Sequence, residues 1–307
     1  MFANVYPLPV RYLDKRISIV MVTYHTGPSL LESLRAVLSD PDIYEIILVD
    51  NGNSAAARQR MWALAGKHQH LRIIQGQGNI GFGRACNYGA LMARGDYILF
   101  LNPDAVITKG AAMKMAECGQ KLQAPWITGG LLETQTGVEQ RGARRKELTP
   151  ISAVITFTGL YKFPGVQSIH LEKTPRPDKP IHMPVVSGAC MMMDRVSFDI
   201  LGGFDERYFL HVEDIDICRR ARLAGGEVFF VPSAKVMHYG SSSMVRIQKV
   251  EYEKFKGFVR YFWNYSSRFF AKVLLVFAVP CMFFAIMGRA WWLALRATWR
   301  DEPREEE

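Results

Sequence analysis

The chain has 307 residues, of which 49 % are hydrophobic, so it can bury one large core or a core with an appendage. Its formal charge of +9 suits a pyrophosphate-bearing ligand or an anionic membrane surface, and the lack of a zinc-finger or aromatic RNA-binding pattern argues against a nucleic-acid partner. The five cysteines are scattered and odd in number, which argues against a disulfide framework or a zinc site and favours a reducing compartment.

The N-terminal segment, residues 1–16, lacks the apolar run of a secretory signal, which favours a cytosolic main domain. Strand-like β-branched runs then alternate with helix-like runs. We predict strands at 17–24, 45–49, 71–74 and 97–101, and helices at 30–38, 55–65 and 83–93. This alternation predicts an α/β fold in which helices cover both faces of a mostly parallel sheet.

Polar residues lie at the carboxyl ends of three of the predicted strands: Thr23-Tyr24, Asp50-Asn51 and Asn102-Pro103-Asp104. Ligands of open α/β sheets bind outside the carboxyl ends of the strands. Each of these groups alone could be an ordinary turn, since Asn, Pro and Asp are common turn residues. Their shared position predicts a ligand site at this edge of the sheet.

The glycine-rich segment 76–81 matches the G-x-G-x-x-G pattern of dinucleotide-binding proteins. It follows the third predicted strand and not the first, and Asp96, twenty positions further on, begins a strand instead of ending one. A dehydrogenase is therefore the least favoured function, and absence of NAD(H) binding would exclude this function. A simple glycine-rich turn before a helix is a second explanation.

The middle of the chain, about residues 133–182, is irregular and rich in Pro, Gly and basic residues, and it predicts loops and a short helix. Strand-like segments return at 183–186 and 189–193. A helix is predicted to begin at Glu213-Asp214 and to end at Gly225-Gly226, a typical helix stop. Residues 228–231 predict a further strand that leads to His238.

The C-terminal region differs in composition, and we predict a main domain at 1–250 and a helical, membrane-associating region at 251–307 that ends in an acidic tail. Residues 269–288 are apolar apart from Lys272 and contain Pro280. A transmembrane helix needs roughly 20 apolar residues, so this segment is marginal as a span. Its aromatic and basic flanks favour an interface-lying helix pair or a re-entrant hairpin. A helix packed on the core of a soluble protein is the alternative.

Two segments resemble family 2 glycosyltransferases. Gly203-Phe204-Asp205-Glu206, followed by Glu213-Asp214 and Cys218-Arg219, resembles the acceptor-activating motif of that family. Residues 79–89 resemble the segment that lines its nucleotide-sugar site. The resemblance covers roughly residues 17–243 and implies an inverting glycosyltransferase with a GT-A fold.

The resemblance also implies roles for individual residues. Asp214 is the expected general base, although acidic residues are favoured in any first helical turn by the helix dipole. Asp50 is expected to accept a hydrogen bond from the pyrimidine of the donor. The remaining substrate-binding residues that it implies are Thr23, Tyr24, Asn51, Asn79, Gly81, Phe82, Arg84, Asn87, Asn102 and Glu213.

A divalent metal, Mg²⁺ or Mn²⁺, is expected where the family carries an Asp-x-Asp motif. Here the motif reads Asn102-Pro103-Asp104, so one of the two carboxylates is missing, as in rhamnosyltransferase-like members of the family. The resemblance implies that Asp104 and His238 meet the metal or the donor diphosphate. A lone histidine is usually not a ligand, so a structural role is the alternative for His238.

Within the family, the chain looks most like bacterial rhamnosyltransferases that use dTDP-L-rhamnose in O-antigen or cell-envelope polysaccharide assembly. This resemblance implies a polyprenyl-diphosphate-linked glycan acceptor and attachment, peripheral or monotopic, to the cytoplasmic face of the inner membrane. A UDP-sugar donor (galactofuranose, N-acetylhexosamine or glucose) is an alternative. A non-catalytic, membrane-associated sugar-nucleotide binder is an alternative of another class.

Overall fold

The computed structural model describes residues 16–240, 246–266 and 269–300, so the predicted acidic tail after residue 300 and most of the N-terminal segment lie outside the described residues. The strands in these ranges are β1 (Ile17–Thr23), β2 (Ile43–Asp50), β3 (Leu71–Ile74), β4 (Tyr97–Leu101), β5 (Ala105–Ile107), β6 (Trp126–Glu133), β7 (Arg144–Arg145), β8 (Ile181–His182), β9 (Val185–Val186), β10 (Cys190–Asp194) and β11 (Glu227–His238). The helices are α1 (Ser29–Leu38), α2 (Ala55–Ala65), α3 (Phe82–Met92), α4 (Ala111–Gly119), α5 (Pro150–Thr158), α6 (Arg195–Leu201), α7 (Glu213–Leu223), α8 (Ile247–Tyr265) and α9 (Phe269–Arg300).

A mixed sheet forms the centre of the molecule, with the strand order β3-β2-β1-β4-β10-β6-β11-β5 and with β8 paired to β11. The first four strands in this order are parallel, and β10 is antiparallel to both of its neighbours. Strand β11 runs parallel to β6. Consequently β1, β2, β4, β6 and β11 all end at the same edge of the sheet. A separate two-stranded ribbon pairs β7 with β9.

Helices cover both faces of the sheet because its central strands are apolar on both sides. Along β1, Ile19 and Met21 belong to one core cluster and Val20 and Val22 to the other, as expected from the alternation of side chains along a strand. Helices α1, α2 and α4 contribute to the first cluster, and α3, α6, α7 and α8 to the second. The predicted α/β architecture is confirmed.

The elements predicted up to residue 101 are confirmed, with ends that differ by at most two residues. Strand β6 was not predicted, because it contains Gly129 and Gly130, and glycine is disfavoured in strands. A Cβ atom at Gly129 would lie 2.4 Å from the Cβ of Val186, and one at Gly130 would lie 3.0 Å from the carbonyl oxygen of Ala234. Close backbone approach therefore requires glycine in this strand.

The two C-terminal helices behave differently. Helix α8 buries Phe255, Phe258 and Phe262 in the core. Helix α9 packs against α8 but exposes much of its apolar surface, and 18 % of its most apolar window is buried. Within the described residues, α9 is the one helix that is long and apolar enough, over Lys272–Trp292, to cross a membrane. The domain boundary at residue 250 stays a prediction.

Candidate active site

Polar residues from several strands meet at one edge of the sheet. Thr23 and Asp50 end β1 and β2, Asn102 follows β4, and His238 ends β11. Since these strands run in one direction, their carboxyl ends lie along the same edge. The structure thus brings together the strand ends that the sequence predicted to form a ligand site.

A compact polar cluster surrounds His238. Its Nε2 atom lies 3.1 Å from Oδ1 of Asp104 and 3.3 Å from Nδ2 of Asn102. Its Nδ1 atom lies 2.8 Å from Oε1 of Gln140, and Nε2 of Gln140 donates to the carbonyl oxygen of His238 itself. Asp104 is buried, whereas Asn102, Gln140 and His238 are half-buried.

The contacts of Gln140 determine which ring nitrogen of the neutral His238 carries the proton. Because the amide nitrogen of Gln140 donates to the backbone of His238, its amide oxygen faces Nδ1 and accepts the Nδ1 proton. In the neutral imidazole, Nε2 then directs a lone pair towards the Asp104 carboxylate. A cation between two such electron-rich atoms would be favourable, and imidazole and carboxylate are both accepted ligands of Mn²⁺.

These residues alone do not form a complete cation cage. Among the described residues, no group of three or more His, Cys, Asp or Glu side chains is placed to hold a metal ion. Asp104 and His238 supply two candidate ligands, and Asn102 stands beside them. The arrangement suits a cation that takes its remaining ligands from a bound diphosphate and water.

Asp50 and Thr23 share one hydrogen-bond network centred on Asn53. Nδ2 of Asn53 donates to Oδ1 of Asp50 at 2.7 Å and to Oγ1 of Thr23 at 2.9 Å. Oγ1 of Thr23 donates in turn to the carbonyl oxygen of Val49 at 3.1 Å. Thr23 is fully buried, whereas the neighbouring Tyr24 is half-buried and exposes part of its ring. The network fixes the Asp50 carboxylate at the end of β2.

The glycine-rich segment is attached to the end of β2 by Asn51. Its Nδ2 donates to Oδ1 of Asn79 and to the carbonyl oxygen of Gly81, both at 3.1 Å, while its Oδ1 accepts from the N–H of Ile80 at 3.2 Å. Asn51 and Asn79 thereby hold the loop that leads into α3. Contact of either residue with a donor stays a prediction.

The start of α3 lies directly against the chain that precedes α7. The N–H of Phe82 donates to the carbonyl oxygen of Phe209 at 2.8 Å. Gly81 has a φ of +90°, and a Cβ there would lie 2.9 Å from the same oxygen. Only glycine satisfies both the backbone angle and the close approach.

Asn87 connects α3 to the Gly203–Glu206 loop. Its Oδ1 accepts from the N–H of Phe204 and its Nδ2 donates to the carbonyl oxygen of Phe204, both at 2.8 Å. Arg84, one turn earlier, is exposed and lies 3.3 Å from the carboxylate of Glu206. Asn87 thus holds the loop in this structure, while Arg84 is the more accessible of the two for an anionic ligand.

Helix α7 begins at a strained turn. His211 and Val212 have φ values of +66° and +74°, although neither is glycine. For a β-branched residue this conformation costs on the order of 1–3 kcal/mol. Gly257 of α8 lies against the turn, because a Cβ there would be 2.9 Å from Cγ2 of Val212 and 3.2 Å from the carbonyl oxygen of His211. Packing of α8 therefore supports the turn that presents Asp214.

Asp214 is held by the β7–β9 ribbon and its continuation. Its Oδ2 lies 2.5 Å from Nη2 of Arg145 and accepts from the N–H of Gly188 at 3.1 Å. Burial acts to raise the pKa of Asp214, but the charge and hydrogen bond of Arg145 and the bond from Gly188 outweigh it and hold the pKa below its usual range. The carboxylate is therefore ionised at neutral pH, and it is a weak base while Arg145 is attached.

The pKa of Glu213 is shifted in the opposite direction from that of Asp214. Its side chain is buried, and its Oε2 atom has no hydrogen-bond partner among the described residues. Burial and, second to it, the charge of Asp214 raise the pKa of Glu213 to about 8. The two adjacent acids thus differ in protonation near neutral pH, with Asp214 ionised and Glu213 neutral.

Asp216 anchors α8 to α7. Its Oδ1 accepts from the hydroxyl of Tyr265 at 2.8 Å and from that of Tyr208 at 3.3 Å, and its Oδ2 pairs with Nε of Arg220 at 2.7 Å. Asp216 is 1 % exposed. This acid therefore joins α7 to α8 and to the segment that carries Tyr208.

A two-residue link separates the His238 cluster from Asp214. The carbonyl oxygen of Ala189 accepts from the N–H of Asn102 at 2.9 Å, and the N–H of the preceding residue, Gly188, donates to Asp214. A Cβ at Gly188 would lie 3.2 Å from the Cβ of Asp214. One turn, at Gly188-Ala189, thus contacts both the Asp214 carboxylate and the backbone of Asn102 in the His238 cluster.

Three residues of the site were not predicted from the sequence, namely Arg145, Gln140 and Asn53. The only signal for Arg145 was its place in the basic run 141–146, in a segment where no helix or strand pattern accounts for the charge. Gln140 lies in the irregular middle of the chain, where nothing in the sequence points to His238. Asn53 belongs to the polar run after β2 but carries no charge.

Comparison with known proteins identifies the family to which this protein belongs. A family described as glycosyl transferase family 2 matches residues 18–202, which is more than half of the chain. The protein belongs to this family and is a glycosyltransferase, as the motifs around Asp214 predicted.

Among its relatives, an N-acetylglucosaminyl-diphospho-decaprenol L-rhamnosyltransferase of Mycobacterium tuberculosis is 26 % identical in an alignment of 246 residues that covers 75 % of this chain and 78 % of the relative. Rhamnosyltransferase WbbL of Escherichia coli K12 is 28 % identical in an alignment of 221 residues that covers 68 % of this chain and 77 % of WbbL. The resemblance to rhamnosyltransferases of this family is confirmed.

Solved structures confirm the GT-A fold. GalNAc-T7, crystallised with UDP, GalNAc and Mn²⁺, gives a TM-score of 0.57 at 18 % identity over 75 % of this chain and 44 % of its own. The mannosyltransferase PcManGT of Pyrobaculum calidifontis, in complex with GDP-Man and Mn²⁺, gives 0.53 at 15 % identity over 96 % of this chain and 78 % of its own.

Proposed function

We propose that the protein transfers L-rhamnose from dTDP-L-rhamnose, with inversion, to a polyprenyl-diphosphate-linked sugar of a bacterial cell-envelope or O-antigen glycan. The observation that supports this proposal is the turn at Gly188-Ala189, which is hydrogen-bonded to the Asp214 carboxylate on one residue and to the backbone of Asn102, beside His238, on the next. The similarity to two rhamnosyltransferases, one of them named for a decaprenol-linked substrate, supports the choice of donor and acceptor.

In this mechanism the donor lies along the carboxyl ends of the strands. Asp50 accepts a hydrogen bond from the pyrimidine, with Thr23, Tyr24 and Asn51 beside it. The diphosphate lies near the start of α3 and the His238 cluster. The residues proposed to contact it are Asn79, Gly81, Phe82, Arg84, Asn87 and Asn102.

Asp104 and His238 would hold Mg²⁺ or Mn²⁺ together with the diphosphate. A divalent cation there would neutralise charge on the departing nucleoside diphosphate. Mn²⁺ in two proteins of the same fold supports this assignment.

Asp214 is the proposed general base. It takes a proton from an acceptor hydroxyl, whose oxygen attacks the anomeric carbon as the bond to the diphosphate breaks. Attack from the side opposite the leaving group inverts the anomeric configuration. Arg145 must release Asp214 before the carboxylate can accept the proton, and the neutral Glu213 limits the negative charge that accumulates beside it.

The surface of α9 supports attachment to a membrane, which we place at the cytoplasmic face of the inner membrane. Its large apolar side chains are mostly exposed, among them Phe270, Leu274, Phe277, Phe284 and Trp291. Contiguous exposed apolar surface of this kind marks a membrane or protein contact. A lipid-linked acceptor would require such a location.

The proposal is tested by transfer of labelled sugar to N-acetylglucosaminyl-diphospho-polyprenol, with dTDP-L-rhamnose, UDP-galactofuranose, UDP-N-acetylglucosamine and UDP-glucose as donors and with Mg²⁺, Mn²⁺ or EDTA. We expect transfer from dTDP-L-rhamnose. Asp214→Asn should reduce kcat by about a hundredfold or more, since the amide cannot accept the proton, while donor binding persists. Transfer from a UDP-sugar alone would refute the rhamnose assignment, and normal turnover by Asp214→Asn would refute the base.

A further inference from the structure

An apolar cavity of about 440 Å³ lies between α5 and the two C-terminal helices. Its volume falls within the roughly 300–1,000 Å³ that small-molecule sites occupy. Its walls are built almost wholly of aliphatic and aromatic side chains, including those of Ala153, Val154, Phe262, Leu275, Ala278 and Ile286.

A smaller polar cavity of about 180 Å³ adjoins it. Pro150, Phe262 and Ser266 line both cavities, so the two are neighbours that share a wall. The polar cavity is further lined by Glu147 and Arg219. A ligand that filled both would therefore need an apolar part next to a polar part.

The charge of the polar cavity favours an anion. Arg219 lies 4.1 Å from the ring centre of Tyr265 and donates to the hydroxyl of Tyr261 at 3.0 Å, and its buried Nε atom has no hydrogen-bond partner among the described residues. Arg222 does not line the cavity, but its buried Nε atom also has no hydrogen-bond partner among the described residues. Glu147 is 3.6 Å from Arg219 and 3.4 Å from Arg222, so one carboxylate faces two guanidinium groups.

The polar cavity lies close to the proposed base. Arg219 and Asp214 are both on α7, five residues apart, which corresponds to about 8 Å along the helix axis. On the opposite side, Arg145 contacts Asp214 and Glu147, two residues later, contacts Arg219. The same two chain segments thus border the base and the polar cavity.

We propose that these two cavities bind the lipid part of the acceptor, with its diphosphate at Arg219 and its first isoprene units in the apolar cavity. This inference rests on the function proposed above and adds the place and chemistry of the acceptor subsite. Arginine binds phosphate oxygens through paired N–H donors. Arg219 and Arg222 share the single carboxylate of Glu147, so one positive charge remains to attract the diphosphate. A water-soluble acceptor would leave the apolar cavity without a ligand, and a free phosphate would leave it empty as well.

The first test is direct binding of a fluorescent farnesyl diphosphate to the full-length protein in detergent. Ala278→Trp fills the apolar cavity, and Arg219→Gln removes the cation, so each should weaken binding at least tenfold. Val276→Trp is the matched control, because Val276 is two residues away on α9, is exposed and does not line the cavity. It should bind as the wild type does.

Folding of each variant is checked by its stabilisation with donor nucleotide, which binds elsewhere. Ala285→Leu, a smaller change in the same cavity, should give an intermediate loss of binding if Ala278→Trp proves unstable. Equal binding by all variants would overturn the proposal. So would equal displacement of the probe by phosphatidylglycerol, because the cavities would then be a site for bilayer lipid.

A transfer assay separates this proposal from the proposed function. In the wild type, KM for a long-chain lipid acceptor should be at least tenfold lower than for the same sugar diphosphate on a five-carbon chain, and Ala278→Trp should abolish the difference. Probe binding without any sugar transfer would contradict the proposed function and leave the lipid subsite intact. Transfer with identical KM values in wild type and variant would contradict the subsite alone.

Discussion

At the scale of single residues, the pair of Arg145 and Asp214 determines when the proposed base is active. Replacing Arg145 by Gln removes the charge that lowers the pKa of Asp214, so burial becomes dominant and the pKa rises. Since the ionised form is active, we expect the acidic limb of the kcat/KM profile to move to higher pH. The profile is measured from pH 5 to 8.5 with the lipid-linked acceptor.

Arg141→Gln is the control for this change. Arg141 belongs to the same basic run, but it lies over the ring of Tyr161 and is exposed. Its removal should leave the acidic limb in place. An identical limb in the Arg145 and Arg141 variants would show that Asp214 is not the titrating base.

Glu213 provides a prediction about stability. Its pKa of about 8 in the folded protein exceeds the value of about 4.3 expected when unfolded. Between these values the folded state binds a proton that the unfolded state releases, so the free energy of unfolding must fall as pH rises. Glu213→Gln cannot titrate, and we expect it to lose this dependence. Urea midpoints at pH 5, 6, 7 and 8 compare the two proteins, and parallel dependence would contradict the raised pKa.

At the scale of elements, helix α8 supports the strained turn that starts α7. Gly257→Ala would put a methyl group against Val212 and the carbonyl oxygen of His211 at distances that force the turn to move. We expect lower kcat and a lower melting temperature.

Gly288→Ala, in α9, is the matched control, because a Cβ there meets nothing within 4 Å. It should be neutral or stabilise by about 0.5–1 kcal/mol, as Gly→Ala does in helices. Equal effects of the two changes on kcat would contradict the role of α8.

The elements also show what the sequence could predict. Strands β1, β2 and β4 are short runs of apolar, often β-branched residues, so their pattern and their polar ends were readable from local sequence. Strand β6 was not readable in this way. Its Gly129 and Gly130 are required by close contacts with Val186 and Ala234, which are distant along the chain. The site shows the same contrast. Glu213 and Asp214 belong to a local motif that the sequence reveals, whereas the contact of Arg145 with Asp214 exists only once the β7–β9 ribbon has folded.

At the scale of the whole molecule, the exposed apolar face of α9 is the proposed membrane contact. The double change Phe277→Ser and Phe284→Ser removes two large exposed side chains, 74 % and 72 % accessible, without filling or opening the core. Burying one such side chain contributes about 1.5–3 kcal/mol, so partition onto anionic vesicles should fall by at least tenfold. Co-sedimentation measures it, and unchanged binding would place the membrane contact elsewhere.

The tie between Asp216 and Tyr265 has a consequence for the choice of substrate. Tyr265 is the last residue of α8, and α8 packs against α9, so the hydrogen bond connects α7, which carries Asp214, to the helix pair that includes the proposed membrane helix. With α9 on the bilayer, the height of Asp214 above the lipid surface is then constant. A glycan already lengthened by further sugars would carry its free hydroxyl past that height. The architecture would therefore restrict the enzyme to one early stage of chain elongation.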